Sequence, residues 1–171
     1  PERGINFGPG NYSERVIRDQ FLRTFQAAVT EAGALSVMPS YNEIDGIPSH
    51  ANRWLLHRVL REEWGFDGII VTDYFGIKHL YTFHFVAHDA EEAARMALNA
   101  GVDIDLPEIA SYQTLIGQIR DGRVSEATLD TCVRRILRIK FMLGLFENPY
   151  AEPDRAEAVN RCEAHGRLAL R

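Results

Sequence analysis

Residues 65–74, GFDGIIVTDY, constrain the fold most strongly: Ile69, Ile70 and Val71 follow one another without polar alternation, and a carboxylate, Asp73, stands where the run stops. A strand with one face in water alternates apolar and polar side chains, whereas a strand covered on both faces does not. Two further short runs, ALSVM at 34–38 and VDIDL at 102–106, are strand candidates of the same buried type. Between them lie patterns of helical period. Ile17, Phe21, Phe25 and Val29 share one face after an N-cap at Ser13, and Leu56, Val59, Leu60 and Trp64 mark a second helix. A third, AEEAARMALNA, follows the pair Asp89 and Glu92 at capping-box spacing and stops at Gly101. Further helices are expected around 112–119 and 125–143, with Gly122 and Gly144 as stops.

Buried strands alternating with amphipathic helices predict an α/β fold with parallel strands and flanking helices. Periodicity leaves two architectures open, a doubly wound sheet and a (β/α)8 TIM barrel. A whole barrel takes about 250 residues, so in the second case part of it lies outside this chain of 171. The opening residues lack the apolar core of a signal peptide and carry no initiator Met, and the chain stops inside a helical pattern, so a segment of a larger protein is expected.

In both architectures ligands bind beyond the carboxyl ends of the strands. Asp73 falls there after the second strand, Met38 and Tyr41 after the first, Asp103 and Asp105 at the third. Asp73 has two readings on pattern alone. It emerges into an active-site mouth, or it caps the next turn through the backbone N–H groups of Tyr74 to Gly76. The segment from about Asp73 to His88 reads as a loop, Asp45 with Gly46 as a turn, and Glu63 as a solvated helix residue. Within that loop His84 and His88 have the i, i+4 spacing of helical metal sites, but without the intervening glutamate of the zinc-protease motif.

A net charge of −5 with both signs interspersed offers no basic stripe for a phosphate backbone, so nucleic acid is not an expected partner. No apolar run approaches the roughly 20 residues of a membrane helix, so no membrane association is expected and the compartment stays open. Cys132 and Cys162 lack any metal or redox spacing and read as ordinary thiols.

Three blocks, SVMPSYNEIDGIPSHANRWLLHRVLREEWGFDGIIVTDY, EAARMALNAGVDIDLP and RVSEATLDTCVRRILRIKFMLGLFENPY, closely resemble family 3 glycoside hydrolases of the β-glucosidase and β-xylosidase type. The resemblance covers practically the whole chain. It implies residues 1–147 as the C-terminal portion of a catalytic TIM barrel and 148–171 as a linker toward a second, α/β domain. It implies Asp73 as the catalytic nucleophile, Met38 and Tyr41 as residues of the sugar subsite with the Tyr41 hydroxyl directed toward the nucleophile, and Tyr74 as an aromatic wall of that subsite. No metal and no cofactor are implied. The acid/base and most sugar-recognition residues lie, in such enzymes, outside the stretch matched here, so the chain alone is expected to be inactive and to depend on the rest of the same enzyme. The expected substrate is a glycoside or oligosaccharide with a terminal non-reducing β-D-glucosyl residue. β-Xylosides, β-N-acetylhexosaminides, phosphorolysis and a non-catalytic carbohydrate-binding role are the alternatives.

Overall fold

The computed structural model describes residues 2–160 and 162–170, which divide into two compact units, Pro1–Ile139 and Lys140–Arg171. In the first unit, α1 (Glu14–Val16) starts on Ser13, whose hydroxyl accepts the Val16 N–H. It passes through a π-helical stretch, Ile17–Phe21, into α2 (Leu22–Thr30). Strand β1 (Ser36–Val37), the hairpin β2 (Glu43–Ile44) and β3 (Ile47–Pro48), and a π-helix at Trp54–Glu63 lead to β4 (Ile69–Ile70). Then come α3 (Gly76–Thr82), α4 (Ala90–Ala100), α5 (Leu115–Arg120) and α6 (Glu126–Met142).

β1 and β4 pair in parallel, Ser36 opposite Ile69 and Val37 opposite Ile70. The third expected strand is reduced to one parallel bridge between Val71 and Ile104, because the Asp103 carboxylate takes the Ile70 N–H and the Thr72 hydroxyl takes the Leu106 N–H in place of ladder carbonyls. Thr72 N–H still donates to the Ile104 carbonyl at 3.0 Å, so three extended segments run side by side. The α/β class with parallel strands and helices holds as expected.

Asp45 and Gly46 both take positive φ, 50° and 80°, as a two-residue hairpin of the Asp-Gly type requires, and join β2 to β3. Asp89 accepts the Glu92 N–H at 2.9 Å, while the Glu92 carboxylate accepts the His88 N–H at 2.8 Å, so the capping pair is real and α4 starts where it dictates.

The core is built on Leu56, Leu60, Phe66, Ile70, Ile77, Leu80, Ala93, Ala97 and Val102. Each buried Leu or Ile contributes about 1.5–3 kcal/mol against exposure. A smaller cluster of Leu98, Leu115, Val124 and Cys132 continues on the far side of α4, whose alanines admit close neighbours on both faces.

Two local expectations are corrected. The loop after Asp73 contains α3, because Ile77 and Leu80 are fully buried and anchor a helical turn that the Gly- and aromatic-rich sequence concealed. Glu63 is not merely solvated: Arg18 grips both its oxygens, at 2.7 and 3.1 Å, tying the first helical segment to the π-helix.

The second unit holds α7 (Pro153–Val159) and α8 (Glu163–Ala169), with Pro153 at the helix start, where its missing N–H costs nothing. The Phe141 and Phe146 rings pack 4.3 Å apart across the Gly144 turn.

Candidate active site

Asp73 stands two residues beyond Val71, at the carboxyl end of β4, and is half-buried. One carboxylate oxygen accepts the Tyr74 N–H at 2.7 Å, and its main-chain carbonyl accepts the Gly76 N–H at 3.0 Å. It thus caps its own turn with one oxygen. The Tyr41 hydroxyl lies beside the same carboxylate.

The turn that carries it is strained. Phe75 occupies the left-handed region at φ 63°, an uncommon conformation for a residue with a bulky side chain, and is held there by its N–H on the Leu106 carbonyl at 2.8 Å.

Tyr41 reaches this turn from the loop after β1. Its hydroxyl donates to the main-chain carbonyl of Tyr74 at 2.7 Å and lies beside the Asp73 carboxylate. Burial, and then the neighbouring Asp73 carboxylate, push the Tyr41 phenol up to about 12, which keeps it a proton donor throughout the ordinary pH range. Phe7, from the N-terminal loop, stacks on the Tyr41 ring with centroids 4.7 Å apart and meets the His79 ring edge-on at 5.0 Å. That loop is pinned by Gly10, whose N–H donates to the Glu43 carbonyl.

Two histidines complete the neighbourhood. His50 is buried, and its ring lies so close to Gly76 that a Cβ there would sit 2.1 Å from Nε2. Burial holds its imidazole neutral, pulling the pKa down to about 4 in spite of the Asp73 carboxylate, which favours the charged form. His79 is also pulled down by burial, with the neighbouring His84 and Lys78 adding to the effect. His84 Nε2 donates to the Tyr41 carbonyl at 2.9 Å. Neither His84 nor His88 lies in a helix, so the helical metal spacing has no structural counterpart.

Asp73, Tyr41 and Tyr74 are therefore brought together. Met38 lies at the carboxyl end of β1 but lines a neighbouring apolar cavity of about 300 Å³ with Tyr12, Phe21, Phe25 and Leu56. Asp105 accepts the N–H groups of Ser111 and Tyr112, and Asp103 is buried between Arg61 and Arg135, at 2.7 and 3.0 Å, so both brace their segment. Sequence reasoning missed Phe7 and His50. His50 sits in a polar loop with no periodicity, and only the approach of its ring to Gly76 marks it out.

α/β enzymes bind their substrates beyond the carboxyl ends of parallel strands, and the strained, carboxylate-bearing turn of this fold lies there. The chain belongs to glycosyl hydrolase family 3: residues 2–139 match that family's N-terminal domain. Among curated relatives it is similar to a β-xylosidase of Formosa agariphila, 41% identical over 98% of this chain and 24% of the relative. It is also similar to the lysosomal β-glucosidase of Dictyostelium discoideum, 43% identical over 84% of this chain and 18% of the relative. Among solved structures, a β-glucosidase from Erythrobacter marinus superposes with a TM-score of 0.94 at 40% identity, covering 98% of this chain and 22% of that one. The β-glucosidase of Listeria innocua in complex with glucose gives 0.89 at 37% identity, covering 96% of this chain and 23% of that one. The chain spans between about a fifth and a quarter of the length of these relatives.

Proposed function

We propose that the protein carrying this chain is a retaining β-glycosidase that releases terminal non-reducing β-D-glucosyl residues through a covalent glycosyl-enzyme on Asp73. The observation that carries this reading is the placement of Asp73: beyond the end of a buried parallel strand, on a strained turn, with one oxygen tied to its own backbone and the Tyr41 hydroxyl beside the carboxylate. A nucleophile must be held rigidly while leaving an oxygen for the anomeric carbon. In such a reaction a carboxylate oxygen attacks the anomeric carbon as the bond to the leaving oxygen breaks and an acid protonates that oxygen. Water then cleaves the glycosyl ester, with the same acid partner, now a base, taking its proton.

Retention requires the two carboxyl groups to lie about 5–5.5 Å apart. Asp103 and Asp105 are both committed to bracing. Following the family resemblance, the acid/base is assigned to the remainder of the protein, in a second domain, and the segments β1, β4 and 102–106 to a (β/α)8 barrel whose other strands come from the same source. Tyr41, Tyr74 and Met38 are assigned to the sugar subsite. Tyr41 steadies the Asp73 turn through the Tyr74 carbonyl, and Tyr74, largely exposed, offers a ring beside the carboxylate.

Glucose is favoured by the solved neighbours named β-glucosidases, one of them holding glucose. Xylose is the second reading, favoured by the β-xylosidase relative. Mass spectrometry of the full-length protein treated with 2-fluoro glucosyl and xylosyl reagents tests both points. A glycosyl adduct on the peptide containing Asp73 is expected, formed faster with the gluco reagent. An active protein that carries its adduct elsewhere, or none, overturns the assignment.

A further inference from the structure

At the opposite ends of the strands from Asp73, a second cavity of about 320 Å³ opens between the π-helix, the end of α4 and the first half of α6. It is lined by Arg53, His57 and Arg61, spaced four apart on one face of the π-helix, and by Arg135, Asn99 and Thr128. Among the described residues no carboxylate lines it. Asp103 lies behind the wall and compensates one positive charge through its bonds to Arg61 and Arg135, and Glu62 engages the His57 ring at 3.2 Å. Three guanidinium groups set against the one carboxylate of Asp103 leave two positive charges in excess.

Arg61 carries the second observation. Its side chain is only 7% exposed. Both terminal nitrogens are occupied, by the Phe66, Gly68 and Gly101 carbonyls and by Asp103. The Nε–H is buried behind the cavity wall near Gly101, with no partner among the described residues. Its terminal nitrogens hold Arg61 in place as the fixed, positively charged inner wall of the cavity. Arg53 makes no ion pair among the described residues, although its neighbours Arg58 and Arg61 both do.

We propose that this cavity binds a small, multiply charged oxyanion of the phosphate type, gripped by Arg53 and Arg135, with the Asn99 amide and the Thr128 hydroxyl as neutral donors and the buried Arg61 guanidinium adding positive potential from the inner wall. Guanidinium groups are suited to this task because their fixed donor forks match tetrahedral oxyanions. The cavity is far too small for a nucleic-acid or protein ligand, and it holds one such ion with a few waters. The proposal does not rest on the glycosidase reading, since it uses no residue of the Asp73 site.

The test is isothermal titration of the full-length protein with inorganic phosphate, paired with thermal melting in phosphate and in chloride at equal ionic strength. Saturable binding and a phosphate-specific rise in melting temperature are expected. Arg53→Gln should weaken phosphate binding about tenfold, while melting in chloride and glycoside turnover stay at wild-type levels. Absence of saturable binding overturns the proposal. So does an Arg53→Gln protein with wild-type phosphate affinity, which would place any bound phosphate elsewhere.

Discussion

The Tyr41 hydroxyl donates to the carbonyl oxygen of Tyr74, the residue that follows Asp73, across 33 positions of sequence at 2.7 Å. This bond fastens the loop after β1 to the turn after β4. Tyr41→Phe removes the donor and keeps the ring and its stack on Phe7. A net hydrogen bond of this kind is worth about 1 kcal/mol, so turnover of an aryl β-glucoside by the full-length protein should fall about fivefold to tenfold, with a melting temperature lowered by only a few degrees. An unchanged rate would mean that the turn holds itself without Tyr41.

Asp73→Asn separates capping from catalysis. The amide oxygen can still accept the Tyr74 N–H, so stability should stay within about 0.5 kcal/mol of the parent. A neutral amide cannot serve as the attacking group, and glycoside turnover should drop by at least about 10³. Denaturant melts and steady-state rates on the same preparation measure both. A stable variant with most of its activity would leave Asp73 as a turn cap.

His50 sets a pH window. Its pKa falls from 6.5 to about 4 on folding, through burial opposed by Asp73 and aided by His79 and His84. A depressed pKa means that the stabilisation is present above pH 6.5 and is lost as the pH falls toward and through 4. The loss is of order 3 kcal/mol, and its upper part, above about pH 5.5, lies clear of ordinary carboxylate titration. His50→Gln should flatten the dependence of unfolding free energy on pH between 6.5 and 4.5, and an unchanged slope would assign it to other groups.

Gly76 has no room for a methyl group. A Cβ would lie between 2.1 and 2.6 Å from three atoms of the His50 ring. Gly76→Ala should destabilise by about 1–3 kcal/mol, and the double variant with His50→Ala should recover part of that loss. Strictly additive effects in a double-mutant cycle would mean that the ring moves freely.

Asp103 braces the fold with a side chain of 0% exposure between Arg61 and Arg135, and it also accepts the Ile70 N–H at 2.8 Å. Asp103→Ala strands two cations and should cost about 3–5 kcal/mol. Replacing Asp67, whose bond to Arg138 is solvent-exposed, should cost less than about 1 kcal/mol. Urea unfolding midpoints of the two variants compare them directly.

Much of this molecule was legible in the chain itself. The unalternating run at Ile69, Ile70 and Val71 fixed a buried parallel strand and put Asp73 at its carboxyl end. The Asp89 and Glu92 pair fixed the start of α4, and Asp45 with Gly46 fixed a hairpin turn. These features rest on local rules, backbone period, caps and positive φ, which act over a few residues and so are written in a few residues. The tertiary structure alone decided that Tyr41 binds the Tyr74 peptide, that His50 lies against Gly76, that Phe7 covers Tyr41 and that Glu63 is held by Arg18. Each of these joins residues between 26 and 45 positions apart. Their energies depend on which surfaces the packed core brings within a few ångströms, and no local pattern encodes that distance.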